Sequence, residues 1–330
     1  MEAVLDVVGI GNAIVDVIAQ ADDAFLARQG LTKGAMQLID AARAEALYAA
    51  MGPTLEMSGG SAGNTMAGIA SLGGKGAYIG KVREDELGRV FAHDMRAIGV
   101  HFDTAPLAEG PPTARSLILV TPDAQRTMNT FLGACVELGP EDVAPDLVAA
   151  ARVTYLEGYL FDPPRAKAAF QKAAELAHAA GRKVSLTLSD AFCVGRYRTE
   201  FRALIEGHVD ILFANEAEIT ALYQTSHFDE ALAAVRGHCE IAALTRSERG
   251  SVVVTKDETH AVPAVRIDQL VDTTGAGDLY AAGFLYGLTH GSELAAAGRL
   301  GSLAAAEVIG HYGARPETSL RELAARAGLL

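Results

Sequence analysis

The chain has 330 residues, of which 50% are hydrophobic and 21% charged, and its net charge is −13. That length suits one large α/β domain with an excursion, or two domains, of ordinary globular composition. The acidic balance argues against nucleic-acid binding, which needs Lys and Arg to neutralise phosphates, yet it leaves a small anionic ligand open to local N–H groups.

The opening MEAVLDVVGIGN carries Glu2 and Asp6 and no basic segment, so it does not read as a signal peptide. VLDVVGI, 4–10, reads as a first strand, and AIVDVIAQ, 13–20, alternates as a half-exposed strand. AMQLID, 35–40, does the same before a short helix over 41–51. The longest uncharged stretch, 57–74, is too rich in Gly and Ser for a membrane span. Within it, SGGSAGN opens a small-residue helix over 63–72. A buried strand at 77–81 and an amphipathic helix over 86–99 follow. In 101–131, SLILVTP and RTMNTF flank the turn PDAQ as a hairpin.

From 141 onward strands and helices alternate. VTYLEGY, KVSLTLS, VDILFAN, IAALTR and SVVVTK read as strands, with helices at 165–180, 198–206, 216–223 and 229–237. The chain closes in helices at 277–290, 292–310 and about 317–328. This rhythm predicts a doubly wound, mostly parallel sheet with helices on both faces. The period-2 segments at 13–20, 35–40 and 101–131 fall outside it and are assigned to a small β-sheet lid over the crevice at the strand C-termini, all within one domain spanning 1–330. Cys135, Cys193 and Cys239 are widely spaced without a CxxC, which reads as reduced thiols in a cytoplasmic protein.

Four stretches can carry chemistry. GIGN, 9–12, follows a strand, but Ile14 stands where a dinucleotide fingerprint needs its third glycine. Asp16 nearby is either a surface residue of an alternating strand or an acceptor for ligand hydroxyls. SGGSAGN is either a capped loop or a place where Gly60 and Asn64 meet a polar ligand. A phosphate loop of the GxxxxGK[ST] kind is absent: Gly74-Lys75 runs into Gly76 and Gly80-Lys81 into Val82.

DTTGAGD, 272–278, offers a phosphate site of another kind. Gly275, Ala276 and Gly277 lie at a helix start, where free N–H groups and the helix dipole gather an anion. Asp278 falls in the first turn, and the dipole there is expected to lower its pKa and keep it ionised. Such a carboxylate can orient a hydroxyl and take its proton. A plain capped helix with an acidic first turn fits the same letters. Asn215 and Glu218, in NEAE, share a helix face and can hold hydrated Mg²⁺ near phosphates, or simply cap the helix. The nine histidines show no metal-ligand spacing.

Asp16 after GIGN, then GGSAGN, NEAE and DTTGAGD, in this order, resemble the PfkB carbohydrate and nucleoside kinases of ribokinase-like fold. RTMNTFLGA, YLEGYLFDPP, LTLSDAF and GFLYGL make the chain similar to the bacterial adenosine-kinase-type branch. The resemblance implies Asp278 as the base, with Gly275, Ala276 and Gly277 as the anion hole and Arg126 as a lid cation toward the phosphoryl. It implies Asn12, Asp16, Gly60 and Asn64 around the sugar, with Gln37 and Phe192 toward a nucleoside base. Phe131 is placed near the same pocket. Asn215 and Glu218 organise Mg²⁺ and phosphates, Thr245 and Gly250 contact the nucleotide, and Ala305 and Ile309 border its adenine. Ser247 departs from the pattern, standing where glycine is common, and can crowd the nucleotide loop.

The expected reaction is transfer of the ATP γ-phosphoryl to the 5′-hydroxyl of a nucleoside, adenosine first. The rival is the same chemistry on ribose or fructose. A non-catalytic binding protein on the same fold and a dehydrogenase stand further off. The expected partners are ATP and a small nucleoside or sugar, with no nucleic acid and no membrane. A monovalent cation such as K⁺, and a monomer or homodimer, are both left open.

Overall fold

The structure, a computed structural model, describes residues 4–123 and 125–330. The strands in chain order are β1 (Leu5–Ile10), β2 (Ile14–Gln20), β3 (Met36–Leu38), β4 (Leu55–Ser58), β5 (Gly76–Ile79), β6 (Ala114–Val120), β7 (Arg126–Phe131), β8 (Ala151–Glu157), β9 (Lys183–Thr187), β10 (Ile211–Asn215), β11 (Ile241–Thr245), β12 (Ser251–Val254) and β13 (Thr259–Val262).

Eight of them form one sheet in the order β13-β12-β11-β10-β9-β8-β1-β5, and five form a second in the order β3-β7-β6-β2-β4. From β5 to β11 the large sheet is parallel, and β12 and β13 add to it antiparallel. Parallel strands need helical crossovers, so both faces are covered. Alternate strand residues therefore enter two cores. Val7, Tyr155 and Phe213 pack with Met66, Phe284 and Leu300 on one face, while Val8, Leu156 and Leu212 pack with Phe170, Phe201 and Ile219 on the other.

Several boundaries differ from the sequence reading. The helix expected at 198–206 runs over Ala191–His208, with a break at Tyr197. Asp190 starts it by accepting from Cys193 N at 2.5 Å, a cap that the polar run before it hides from periodicity. β4 and β13 are additional strands, each four residues long, too short to show alternation. Part of the PDAQ turn lies outside the described residues. Among the described residues no helix is long and apolar enough to cross a membrane, and all three cysteines are free thiols.

Candidate active site

The parallel strands bring their C-terminal ends to one edge. Glu157 ends β8, Asn215 ends β10 and Thr245 ends β11, while Asn12 lies just past β1. Register pairs Glu157 with Thr187 and Asn215 with Thr245. Residues far apart in sequence thus face one crevice, the usual ligand position in open α/β sheets.

The turn at 272–278 is built against the C-terminal segment. Gly275 caps the helix Ala276–Thr289 at φ 80°, the left-handed region that favours glycine, and a Cβ there would lie 2.8 Å from Ala314 Cα. Gly277, next in the helix, is exposed. Asp278 follows in the first turn. Its Oδ1 accepts from Ser61 Oγ at 2.6 Å and its Oδ2 from Asn64 Nδ2 at 3.0 Å. Both donors sit on the helix Ser61–Ser71, so the two helix starts meet at this carboxylate.

The expected pKa direction is reversed: burial raises Asp278 above the usual carboxylate range, against the opposing pull of Ser61 and Asn64. Asp278 keeps some solvent access, but protein atoms crowd its carboxylate, and lost hydration outweighs the dipole.

Asp16 lies beside it. Burial pushes its carboxyl up to about 6, with the cations Arg126 and Arg315 pulling down and Asp278 pushing up. Gly59 gives it room, since a Cβ there would come within 2.6 Å of the carboxyl carbon. Gly60 caps the Ser61 helix at φ 82°, and a Cβ on it would collide with the Asn12 carbonyl oxygen. Asn64 is the link between carboxylates and cation: its Oδ1 accepts from Arg315 Nε at 3.5 Å while its amide nitrogen donates to Asp278.

Asn12 is differently engaged. Its Nδ2 donates to Glu157 Oε1 at 2.7 Å and its backbone N–H to Oε2 at 3.3 Å. Glu157 also accepts from Ala62 N at 2.8 Å. It is 1% exposed, and burial pushes its carboxyl up to about 7. Neither Glu157 nor Arg315 was singled out from sequence. YLEG lies within the strand read at VTYLEGY, and GARPE falls between the last two helices; only the packing reveals their roles.

Arg126, in β7, pairs with Asp272, both side chains 8% exposed. Asp272 also accepts from Thr274 Oγ1 at 2.7 Å and Gly313 N at 3.2 Å. Gln37, in β3, donates to the buried Asn129 at 2.8 Å. Phe131 is half-buried at the end of β7, opposite Arg115. Phe192 is 74% exposed, with the Arg196 guanidinium 4.9 Å from its ring centre. Among the described residues no hydrogen bond joins Gln37, Phe131 or Phe192 to Asp278, Asp16 or Asn64.

Asn215 and Glu218 form a reciprocal cap. Glu218 N donates to Asn215 Oδ1 at 2.9 Å, and Glu218 accepts from Asn215 Nδ2 at 2.6 Å and from its backbone N–H at 2.9 Å. Burial pushes Glu218 up to about 7, and the Asp278 charge adds to this. No cluster of three or more ligating side chains that could hold a metal occurs among the described residues. Beyond Thr245, Ser247 adopts φ 52° and Gly250 N closes the turn on its carbonyl at 3.0 Å. The serine thus occupies a backbone region that favours glycine, at the point where the sequence departs from the family pattern. Ile309 N donates to the Ala305 carbonyl at 3.3 Å, and the Ile309 carbonyl accepts from Val271 N at 2.9 Å, which tethers this helix end to the 272–278 turn.

A doubly wound sheet with a carboxylate behind a glycine turn at a helix start defines a phosphotransferase that acts on an alcohol group. The chain belongs to the pfkB family carbohydrate kinases, whose model matches residues 37–320. It is similar to a solved adenosine kinase from Sinorhizobium meliloti, with 60% identity, a TM-score of 0.92 and coverage of 98% of this chain and 100% of that one. It is also similar to a probable sugar kinase from Rhizobium etli, with 58% identity, a TM-score of 0.92 and coverage of 99% of each. Among curated proteins, the adenosine kinase of Saccharomyces cerevisiae is 27% identical over 326 residues, 92% of this chain and 94% of that one. The chain is a nucleoside or sugar kinase.

Proposed function

We propose that this kinase phosphorylates the 5′-hydroxyl of adenosine with ATP. The observation that carries the chemistry is the Asp278 carboxylate, fixed by Ser61 and Asn64 at the mouth of the Gly275–Gly277 turn and beside Asp16. The 60% identity to a protein titled adenosine kinase supports the acceptor, and the sugar-kinase relative keeps ribose or fructose as the second reading.

Each Asp278 oxygen already accepts one hydrogen bond, and a carboxylate oxygen has a second lone pair, so the base keeps acceptor sites for a substrate hydroxyl. Its raised pKa makes it a stronger base than a solvated aspartate. Asp16 and Asn64 hold the sugar hydroxyls. The N–H groups of Gly275 and Gly277 receive the transferring phosphoryl, joined by that of Ala276 once it leaves the Thr273 carbonyl, to which it donates at 3.3 Å, and Arg126 lends positive charge from the smaller sheet, which acts as the lid. Thr245, Gly250, Ala305 and Ile309 line the nucleotide side. Glu218 and Asn215 would hold a hydrated Mg²⁺ near the phosphates, since no cluster of three ligating side chains occurs among the described residues to bind it alone. Bound Mg²⁺ neutralises phosphate charge. Closing the lid excludes water that would otherwise compete with the acceptor.

The test is ADP release with adenosine, inosine, guanosine, ribose and fructose under saturating MgATP, for the native chain and Asp278→Asn. Adenosine is expected to give the highest kcat/KM. Asp278→Asn is expected to lower kcat by about 10²–10⁴, the range of a lost general base. Ribose or fructose as best acceptor moves the assignment to a sugar kinase, and near-normal kcat in the variant removes Asp278 as the base.

A further inference from the structure

We propose that Arg315 is the positioning residue of the acceptor pocket: reaching from the segment that backs the anion turn, its guanidinium sets the direction of the Asn64 amide and, second to Arg126, adds to the positive charge around Asp16. This rests on the kinase reading above and extends it to a residue outside the motifs that define the site.

The geometry begins with the backbone. Gly313 N donates to Asp272 at 3.2 Å, and Ala314 packs against Gly275, so residues 313–314 form the rear wall of the 272–278 turn. Arg315 comes next and turns its side chain away from that wall, under the Ser61 helix. Its Nη2 would lie 3.5 Å from a Cβ on Gly63, its Nε is 3.5 Å from Asn64 Oδ1, and its Nη2 is 3.6 Å from Met95 Sδ. Among the described residues it forms no ion pair. The charges and titratable groups around it are Asp16 from β2, Asp94 from the helix Glu86–Ala97, and Tyr78 from β5. Asp16 in turn faces Arg126 from β7, Arg315, and Asp278. Asp94 is already engaged with Ser58 N at 2.9 Å.

The amide logic then has one solution. Guanidinium has donors and no acceptor, and an ionised carboxylate has acceptors and no donor. Asn64 stands between one of each. Its oxygen must face Arg315, so its NH₂ must face Asp278. Remove the arginine and the amide can flip, which would aim an oxygen at the base. The charge has a second effect: a cation near Asp16 favours its ionised form, the form that accepts two vicinal hydroxyls.

The experiment compares Arg315→Met, which keeps the apolar stem, with Arg315→Lys, which keeps the charge but lacks the Nε donor. For Arg315→Met, acceptor KM is expected to rise at least about tenfold, the scale of one charge-assisted hydrogen bond, with ATP KM unchanged. The acid limb of kcat/KM for the acceptor should move to higher pH, by roughly half a unit or more, because losing a cation raises a carboxyl pKa. Arg315→Lys should restore the acid limb while leaving KM raised. A second readout needs no substrate: the ¹³C carboxyl titration of Asp16, identified by its loss in Asp16→Asn, should shift upward in Arg315→Met. Should the methionine variant fail to fold, the lysine variant is expected to keep the Asp16 titration near native with raised acceptor KM. An unmoved Asp16 titration, or reduced stability with unchanged KM and acid limb, overturns the proposal. A native chain that phosphorylates none of the acceptors overturns the kinase reading instead, while the titration still decides on Arg315.

Discussion

Among the described residues Glu157 forms no ion pair, and three N–H donors from two segments end on its carboxylate. Burial raises it to about 7 from a reference of 4.5. A carboxyl whose folded pKa is raised binds its proton more tightly in the native state, so its contribution is fully present below the unfolded pKa and is lost as pH climbs to the folded one. Stability should therefore fall between about pH 4.5 and 7, by roughly 3 kcal/mol for this group at 1.36 kcal/mol per unit. Asp16 and Glu218, also raised, add slopes of the same sign over the same window. Urea unfolding across pH 4.5–8 checks this: Glu157→Gln should flatten the curve, and an unchanged slope would assign the dependence elsewhere. The sequence made Asp278, Asp16 and Asn64 legible because glycine turns flank them. Glu157 and Arg315 were illegible because a carboxylate at a strand end and an arginine in a loop look alike whether wet or buried. The pKa direction of Asp278 was misread for the same reason: the dipole is written in the letters, whereas desolvation depends on what packs around the carboxylate.

At the scale of elements, the helix Ala276–Thr289 is nearly all buried and has small residues where it meets its neighbours. A Cβ on Gly283 would collide with the Leu300 carbonyl, and one on Gly287 would come within 2.9 Å of Ala297 Cα. These glycines thus serve contact with the helix Leu294–Val308. On the opposite side Gly68 leaves space for Ala282 and Leu279. Gly283→Ala meets backbone, which cannot swing aside, so it should destabilise by about 1–3 kcal/mol, the usual cost of overpacking. Calorimetry should show a lower Tm together with reduced kcat, because the same helix carries Asp278. A native Tm would mean that the helices separate freely. The short helix Glu216–Tyr223 was readable to the residue because Asn215 and Glu218 mark its start as a reciprocal cap. The four-residue strands β4 and β13 exist because neighbours hydrogen-bond to them, which leaves little trace in their own letters.

Across the whole molecule, the two sheets are joined at the site by Arg126 and Asp272, a nearly solvent-free ion pair between β7 and the anion turn. Burial opposes the Asp272 charge, but Thr274, Arg126 and Gly313 together hold its carboxyl below the usual range. Breaking a buried pair by removing one partner typically costs about 3–5 kcal/mol, because the other charge is stranded. Arg126→Gln and Asp272→Asn should each destabilise on that scale. The double variant should fall short of the sum by at least about 1 kcal/mol. Urea unfolding of the four proteins measures this, and strict additivity would show that the sheets do not communicate through this pair. The doubly wound architecture was legible from β–α rhythm. The pairing of β2 with β4 and β6 was not, since strand partners are chosen across long sequence gaps.

Because Gly313 and Ala314 form the rear wall of the 272–278 turn, a nascent chain cannot finish that turn when its first strand emerges. Asn12 leaves the ribosome some 303 residues before Arg315, roughly 15–60 s earlier at about 5–20 residues per second. From its own emergence until then, the Ser61 helix presents its amide and hydroxyl without the cation that orients them, and β1 waits for β8 through about the first half of the interval. The cation that faces Asn64 is therefore among the last parts of the site to be synthesised.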